Sequence, residues 1–385
     1  MSGSKAGRRL VFVGGGHAHL YSLKRAADLV GQGAEVVLVA PQRYHYYSGM
    51  GPGFLSRIYR PEQVRVDVRS LAVSRGCTFV EDRVVSVDPG ARLLLLESGR
   101  ALPYDAVSFN TGSRVPAERI PGAAEEATPV KPVENLDRVR ERVLDSGRGR
   151  PCRVLVLGGG PAGVEVAANL WRLGRTEGVP AEVTVCEAAP RLLPGLPPRA
   201  GELARRSLEG RGIAVRTGLA AAGLEAGVAS FEGGDSFAYD VAVLTVGIVP
   251  HELYRDSGLP TGADGGLLVD EFLRSPQYPE VFGGGDCVCF SPRELPRVGV
   301  YAVRQGPVLF RNLRACLGAG AAVPFRPQRR FLLILNLADG TGLAVWGRWA
   351  ARGRWAFRWK DYLDRSFMGR FQVSGELSGP EEEAP

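Results

Sequence analysis

Two glycine-rich turns constrain the fold of this chain more than any other feature. The first is Gly14-Gly15-Gly16 and the second is Gly158-Gly159-Gly160. Each turn follows a short apolar segment typical of a buried strand and precedes a stretch with helical spacing, and a second apolar segment comes next. A strand, a tight glycine turn, a helix and a parallel strand form the opening unit of a doubly wound α/β sheet. The sequence therefore predicts this unit twice.

The similarity between the two units continues well beyond the turns. The matched landmarks, in the same order, are Gly14 with Gly158, Arg75-Gly76 with Arg211-Gly212, Tyr104-Asp105 with Tyr239-Asp240, and Thr111-Gly112 with Val246-Gly247. Two unrelated α/β units would not share every landmark at a nearly constant offset. We therefore interpret the chain as two copies of one nucleotide-binding architecture.

The pattern predicts an α/β fold with two Rossmann-like dinucleotide-binding domains and a small C-terminal α+β region. We expect one domain in residues 1–122 with 251–320, the second in 123–250, the C-terminal region in 321–373 and a disordered acidic tail in 374–385. Within the C-terminal region, the spacing predicts strands over 331–337, 343–347 and 354–359, followed by an amphipathic helix.

The second turn carries a complete dinucleotide fingerprint, Gly158-x-Gly160-x-x-Gly163. Its glycines permit the tight turn, the approach of the backbone to a pyrophosphate and close packing of helix on strand. Glu187 ends the next strand, where a carboxylate accepts hydrogen bonds from the adenosine ribose and repels a 2′-phosphate. We therefore expect NADH at this site and NADPH less favoured, although Arg191 could offset the repulsion.

The first turn is less regular. Gly14 and Gly16 fit the fingerprint, but His19 stands where the third small residue is expected, and Ala40 stands where the ribose acid is expected. A late Gly-Gly-Gly-Asp286 sequence supplies a further feature, because a Gly-Asp at a strand end of two-dinucleotide oxidoreductases places its carboxylate on the ribityl hydroxyls of FAD. We therefore expect FAD at the first site.

In their order, these motifs resemble the two-dinucleotide-binding flavoprotein superfamily of pyridine nucleotide-disulfide oxidoreductases. Four further segments are similar to its type II NADH dehydrogenase-like branch, and most of all to the FAD domains found fused to, or beside, selenide water dikinase. These segments are residues 47–53 (YSGMGPG), 130–132 (VKP), 301–307 (YAVRQGP) and 359–368 (WKD to FM). The similarity covers roughly residues 8–372.

The resemblance implies an enzyme that transfers a hydride from NADH to FAD and then reduces an acceptor, for which we expect a quinone. Glu165 matches the acid near the flavin–nicotinamide junction, Lys131 a basic residue in the segment between the two domains, and Gln305 the glutamine beside the isoalloxazine and the acceptor. Each also has a structural interpretation. These are a polar first-turn helix residue for Glu165, a solvated surface lysine for Lys131 and a polar residue at a helix N-terminus for Gln305.

The residues expected to bind the cofactors follow from the motifs. For FAD they are Gly14, Gly16, His17, Thr111, Gly112 and Asp286, and for NADH they are Gly158, Gly160, Gly163, Glu187 and Gly247. The four histidines have neither the spacing to one another nor the nearby carboxylates that would indicate a metal site.

The cysteines separate this chain from some relatives. No C-x-x-C or C-x4-C pair occurs among the six, so disulfide reductase chemistry is not expected. A sulfide:quinone oxidoreductase-like enzyme remains an alternative, because Cys287 stands beside Asp286. A second alternative is a flavoprotein partner in selenium metabolism that does not turn over quinone.

The net charge of +7 is concentrated near the C-terminus, since residues 321–375 hold ten basic and three acidic side chains. There, Trp359, Leu363, Phe367 and Phe371 recur every four residues. Arg358, Lys360, Arg365 and Arg370 lie beside or between them, and Lys360 and Arg370 fall within or beside the apolar arc. Such a helix can lie on an anionic membrane, pack on its own domain or contact a second copy in a homodimer. From the short polar start and the brief apolar runs we expect neither a signal peptide nor a membrane-spanning segment, and no stacking motif indicates nucleic acid. We expect a cytoplasmic protein, peripheral on the inner face of the membrane.

Overall fold

Each of the two predicted copies forms a five-stranded parallel sheet in the computed structural model, which describes residues 7–372. The order in the first sheet is Val281–Gly283, Ala106–Phe109, Arg9–Val13, Glu35–Ala40, Thr78–Glu81. The order in the second sheet is Ala127–Pro129, Val241–Leu244, Cys152–Leu157, Ala181–Glu187, Ala214–Thr217. The predicted pair of Rossmann-like sheets is confirmed. The predicted acidic tail lies outside the described residues.

The duplication extends to a second feature that the sequence comparison did not include. Each copy carries a three-stranded antiparallel sheet. The strands are Val84–Asp88, Leu93–Leu96 and Ala101–Pro103 in the first copy, and Ala221–Glu225, Val228–Phe231 and Ser236–Ala238 in the second. Two short pairings complete the first copy, Tyr44–Tyr46 with Arg65–Asp67 and Leu267–Val269 with Val288–Phe290.

Helices cover the sheets, so the central strands are buried on both faces and read as continuous apolar runs. In the strand Arg9–Val13, for example, Leu10, Val11 and Phe12 are fully buried. The helices are His17–Lys24, Ala26–Val30, Gly51–Leu55, Pro61–Val64, Val68–Val73, Ala123–Glu126, Asn135–Ser146, Pro161–Thr176, Pro198–Glu209, Leu253–Asp256, Gly299–Cys316 and Arg354–Phe371. Short 3-10 turns span Ser48–Met50, Ala117–Arg119 and Gly285–Cys287.

The two segments that connect the sheets run side by side. The backbones of Arg114 and Val249 exchange two hydrogen bonds, of 2.8 and 2.9 Å, in an isolated antiparallel bridge. This pairing lies close to the domain boundaries expected near residues 122 and 250, and the boundaries themselves stay a prediction.

The C-terminal region differs in part from the prediction. Its antiparallel strands are Leu332–Asn336, Gly342–Trp346 and Trp349–Gly353, and the helix Arg354–Phe371 follows at once. The predicted strand over 354–359 is therefore wrong. Its alternating aromatics imitate a strand, but residues four apart (Ala356 and Lys360) face inward together, which is the spacing of a helix.

Within residues 7–372, no helix combines the length and the apolar character that crossing a membrane requires.

Candidate functional site

The two parallel sheets meet at their carboxyl ends, the edge at which doubly wound sheets bind ligands. Lys131 follows the strand Ala127–Pro129 of the second sheet, and Asp286 follows Val281–Gly283 of the first. The Lys131 ammonium donates to the Asp286 carboxylate at 2.9 Å and to the hydroxyl of Ser113 at 2.7 Å, and this hydroxyl also donates to Asp286 at 2.9 Å. Lys131 is therefore not a solvated surface lysine, because it joins the two nucleotide-binding edges.

The first glycine turn is tied to the Gly-Asp turn by a side chain that the sequence reasoning missed. Gly14 has φ +87°, a left-handed conformation that favours glycine. The Asn110 side chain accepts from the backbone N–H of Ala18 at 2.9 Å and donates to the carbonyl of Gly284 at 2.6 Å. In the sequence, only its position directly before the Thr111-Gly112 landmark indicates a role for Asn110.

His19 explains why the first fingerprint lacks its third glycine. Its imidazole is fully buried, with Nδ1 2.6 Å from the carbonyl oxygen of Gly14 and Nε2 2.9 Å from the hydroxyl of Ser108. In the second copy, a Cβ on Gly163 would overlap the carbonyl oxygen of Gly158, so only glycine fits. In the first copy, the side chain of His19 contacts the equivalent carbonyl, that of Gly14, in place of a glycine backbone. Burial lowers the pKa of His19 to about 4, which keeps it neutral at pH 7.

The second site has the geometry expected for the adenosine end of a dinucleotide. The Glu187 carboxylate ends its strand and accepts from the backbone N–H groups of Gly159 at 2.6 Å and Ala189 at 2.8 Å. Arg191, which we considered as a partner for a 2′-phosphate, is engaged elsewhere. Its guanidinium donates to backbone carbonyls of residues 192, 193, 194 and 196.

Glu165 is the fifth residue of the helix Pro161–Thr176, where that helix meets the C-terminal region, so its interpretation as a polar residue of the first turn is wrong. Its carboxylate accepts from the backbone N–H of Asn336 at 2.6 Å. Burial raises the pKa of Glu165 to about 7, against the lowering effects of the Lys360 charge and the Asn336 hydrogen bond. The carboxyl group is therefore set to gain and lose a proton near neutral pH.

The C-terminal helix closes this region with a polar inner face. Lys360 is buried and donates to the carbonyl of Gly49 at 2.7 Å and to Asp364 at 2.8 Å, and Asp364 also accepts from the hydroxyl of Tyr47 at 3.0 Å. Lys360, which the helical spacing places within or beside the apolar arc, is 8% exposed and ion-paired, so it belongs to the inner face of the helix. Packing on its own domain is confirmed for this helix.

The predicted aromatic stripe is divided between the two faces of the helix. Phe371 is buried and Phe367 partly buried, while Trp359 and Leu363 are exposed. Trp359 and Leu363 belong to an exposed surface that we call the aromatic patch. It comprises Trp346, Trp349, Trp355, Trp359, Tyr362 and Leu363.

Gln305 lies within the helix Gly299–Cys316, not at its N-terminus, and is buried. Its side-chain oxygen accepts from the backbone N–H of Gly285 at 2.7 Å, so Gln305 supports the turn that presents Asp286.

The Thr111 hydroxyl lies 2.7 Å from that of buried Tyr254, and Gly112 and Gly247 have positive φ at the equivalent ends of their strands. Contact of these residues with a cofactor or an acceptor stays a prediction.

Cys287 is fully buried beside Asp286, and burial raises the pKa of its thiol. Burial also raises the thiol pKa values of Cys77 and Cys186 to about 12 and of Cys152 to about 11. A thiolate nucleophile is therefore disfavoured at each of these positions. In the described part of the chain, no three histidine, cysteine or acidic side chains cluster as a metal site would require.

Both sites fit the dinucleotides that the motifs indicate. At the first site, Asn110 and Gln305 hold the two glycine turns in place, and Asp286 directly follows the later of these turns. A buried imidazole nitrogen of His17 at this site has no partner among residues 7–372. At the second, no atom lies within 4 Å of the position that a Cβ on Gly160 would take, which leaves room for a pyrophosphate. The fold and the paired sites define a two-dinucleotide-binding oxidoreductase.

Comparison with known sequences identifies the family. The sequence model of the pyridine nucleotide-disulphide oxidoreductases matches residues 8–306, and the chain belongs to this family. It is 25% identical to external alternative NAD(P)H-ubiquinone oxidoreductase B3 of Arabidopsis thaliana, over 75% of this chain and 56% of the relative. It is 26% identical to probable ferredoxin reductase CtmF of Castellaniella defragrans (92% and 88% covered) and 23% identical to demethylphylloquinone reductase NdbB of Synechocystis (88% and 87% covered). The chain thus spans little more than half of the Arabidopsis enzyme.

Solved structures agree on the fold. NDH2 from Plasmodium falciparum in complex with NADH superposes with a TM-score of 0.81 at 14% identity, covering 97% of this chain and 99% of the other. The sulfide:quinone oxidoreductase of Aquifex aeolicus superposes with a TM-score of 0.80 at 15% identity, covering 98% and 94%. At these identities the likeness establishes the fold alone.

Proposed function

We propose that this chain is an FAD-containing NADH dehydrogenase that passes electrons to a quinone. The observation that carries the proposal is the Lys131–Asp286 contact, which joins the carboxyl ends of the two nucleotide-binding sheets. Two dinucleotides held at facing edges can bring their reactive rings together. Membership of the pyridine nucleotide-disulphide oxidoreductase family and similarity to NAD(P)H-ubiquinone and demethylphylloquinone reductases support it.

The two sites divide the cofactors between them. The FAD site comprises Gly14, Gly16, His17, Thr111, Gly112 and Asp286, and the NADH site comprises Gly158, Gly160, Gly163, Glu187 and Gly247. Bound FAD supplies hydride acceptance from NADH and electron transfer to the acceptor. The protein orients both groups through the two glycine turns and the helix N-termini that follow them.

NADH is the preferred donor in this proposal. The Glu187 carboxylate is held at the ribose position by two backbone N–H groups, and Arg191 is committed to backbone carbonyls. A 2′-phosphate would therefore meet an uncompensated negative charge. At ~5 Å and an effective dielectric constant of ~20, this repulsion is about 3 kcal/mol per unit charge.

Glu165 is the proposed proton donor. Reduction of a quinone to a quinol by NADH takes up one proton, because the hydride brings only one of the two hydrogens. A partly buried carboxyl group with a pKa of about 7 can supply this proton at neutral pH. The charge of Lys360 lowers the pKa of Glu165 and so opposes the effect of burial.

The covering of segment 47–59 and the burial of Cys287 disfavour a disulfide or sulfide as the acceptor. Tyr47 and Tyr59 bind Asp364 and Asp361 of the C-terminal helix, at 3.0 and 2.9 Å. This helix therefore covers segment 47–59, the region where disulfide reductases carry their cysteine pair. The thiol pKa of Cys287 is raised by burial, which disfavours the sulfide:quinone oxidoreductase-like alternative as well.

We also propose that the aromatic patch attaches the protein to the inner face of the membrane. Trp349, Trp355 and Trp359 form a continuous row, with ring centroids 6.0 and 6.4 Å apart, and Arg354 and Arg358 are exposed beside them. Such a mixture suits an anionic lipid surface, where each basic residue contributes about 1 kcal/mol. Because the opposite face of the same helix borders Glu165, a quinone in the bilayer would have a short route to the site.

An acceptor panel tests the proposal. Purified protein is assayed anaerobically with NADH and, in turn, a ubiquinone analogue, a disulfide, sulfide and selenite. We expect turnover with the quinone and at most slow reaction with the others. A chain that binds selenide water dikinase stably but reduces no quinone would contradict the proposal and support the alternative in selenium metabolism.

A further inference from the structure

One histidine at the proposed FAD site has a buried nitrogen that nothing in the described chain satisfies. His17 is the first residue of the helix after Gly14-Gly15-Gly16, and its Nε2 atom is buried without a hydrogen-bond partner among residues 7–372. Its other nitrogen, Nδ1, lies 3.1 Å from Nε2 of His45. Because buried polar atoms are rarely left unpaired, an unpaired one at a ligand site indicates a contact with the ligand.

The neighbours of His17 locate it relative to the cofactor. The fingerprint turn, where the pyrophosphate is expected, directly precedes it. The Lys131 charge acts on His17, and Lys131 is bound to Asp286, the proposed ligand of the ribityl chain. His17 therefore follows the turn expected to hold the pyrophosphate and lies near the Lys131–Asp286 pair, where we expect the ribityl chain of the flavin.

Aromatic rings hold the imidazole of His17 in one orientation. His45 meets it edge-on, with ring centroids 4.7 Å apart, and Phe367 of the C-terminal helix stacks at 5.7 Å with an interplanar angle of 19°. Tyr47 contacts the same ring at 5.2 Å. These contacts favour the observed orientation of the imidazole.

The histidine pair is held in the neutral form. Burial and the Lys131 charge lower the pKa of His17 to about 4, and burial and His17 lower that of His45. A neutral imidazole donates from one nitrogen and accepts at the other. The hydrogen bond to His45 therefore decides whether Nε2 of His17 is a donor or an acceptor.

We propose that Nε2 of His17 makes a hydrogen bond to the flavin part of bound FAD, and that His45 is the positioning residue that fixes the ring and tautomer of His17 for this contact. The inference rests on the proposed function only in that the chain binds FAD. The pair would tune the flavin, because a directed hydrogen bond favours one redox state of its partner over the other.

The test compares His17→Ala, His45→Phe and the double variant, with Tyr44→Phe on the same short strand as a control. The flavin of each purified protein is equilibrated with a reference dye of known potential, and its visible spectrum is recorded. We expect each histidine variant to retain flavin and to change the equilibrium constant at least tenfold, about 30 mV for a two-electron couple. The double variant should shift no further than His17→Ala, since His45 acts through His17.

A conservative variant guards against a general loss of structure. His45→Gln places an amide near the position of Nε2 and should keep the equilibrium within twofold of the wild type. Unchanged equilibrium in His45→Phe, additive shifts in the double variant, or a His45→Gln shift as large as that of His45→Phe would each overturn the inference. Wild-type protein without flavin would instead contradict the proposed function, so the two failures are distinguishable.

Discussion

The imidazole Nδ1 of His19 lies 2.6 Å from the carbonyl oxygen of Gly14, where the other nucleotide-binding unit has the bare backbone of Gly163 against Gly158. In the second unit the backbone of Gly163 packs directly against the carbonyl of the turn, and in the first unit the buried side chain of His19 contacts it. Ser108 completes the arrangement by contacting Nε2 at 2.9 Å. The first turn therefore depends on a long-range contact, because Ser108 lies on a different strand of the sheet.

Replacing His19 by leucine should weaken FAD binding. The change removes the contact with the Gly14 carbonyl that supports the turn. It also leaves the Ser108 hydroxyl buried without a partner, which lowers the free energy of unfolding by about 1–3 kcal/mol. We expect the dissociation constant for FAD, measured by fluorescence titration of apoprotein, to rise about 10- to 100-fold. Adding Ser108→Ala should recover part of the lost stability, because both polar partners are then gone. Unchanged affinity in His19→Leu would show that the imidazole does not support the turn.

Replacing Glu165 by glutamine should slow acceptor reduction and remove its pH dependence. The pKa of about 7 means that the carboxyl group carries its proton below pH 7 and loses it above. Wild-type turnover should therefore fall as pH rises through 7, and Glu165→Gln should be about 100-fold slower with no break there.

The stability of Glu165→Gln serves as the control for folding. A group whose pKa is raised on folding stabilises the protein less as pH rises towards that pKa, so Glu165→Gln should be at least as stable as the wild type above pH 7. Thermal unfolding at pH 6 and pH 8 checks this. A pH break retained in the variant would assign proton donation to another group.

Replacing Glu187 by glutamine should relax the preference for NADH. The amide keeps the shape of the side chain but removes the charge that repels a 2′-phosphate by about 3 kcal/mol. The ratio of kcat/KM for NADH to that for NADPH should fall about 100-fold. Arg191→Gln is the matched comparison and should leave the ratio within threefold, since its guanidinium binds backbone carbonyls. A larger change in Arg191→Gln than in Glu187→Gln would reverse this assignment.

Replacing Trp355 and Trp359 by serine should weaken membrane attachment. Both side chains are nearly half exposed, and burying a large apolar side chain is worth about 2 kcal/mol. Co-sedimentation with vesicles containing phosphatidylglycerol should show at least tenfold weaker binding for the double variant. Val228→Ser, an exposed apolar site in the second nucleotide-binding copy, should bind as the wild type does. Equal sedimentation of all three proteins would contradict attachment through the aromatic patch.

The repeated sheets could be predicted because their information is local. A buried parallel strand followed by a glycine turn and a helix is visible in about thirty residues, and the Tyr-Asp landmarks repeat it. The segment 354–359 was mistaken for a strand because its aromatics alternate, while the contacts that select a helix come from the neighbouring sheet.

The site could be predicted only where a motif marks it. The glycines, Glu187 and Asp286 belong to recognisable spacings, whereas Asn110, His45 and Asn336 act through partners distant in sequence. The helical spacing places Lys360 within or beside the apolar arc of its helix, where a charged side chain needs a partner. Asp364 lies four residues further along the same helix, whereas Gly49 becomes a neighbour only when the helix packs against the first domain.

An anaerobic single-turnover titration tests the central claim most directly. The bound flavin is followed by its visible absorbance while one equivalent of NADH is added, and then one equivalent of a ubiquinone analogue. The account predicts that NADH bleaches the flavin fully and that the quinone restores the oxidised spectrum. Protein that holds no flavin, flavin that NADH does not bleach, or reduced flavin that the quinone leaves unchanged would contradict it.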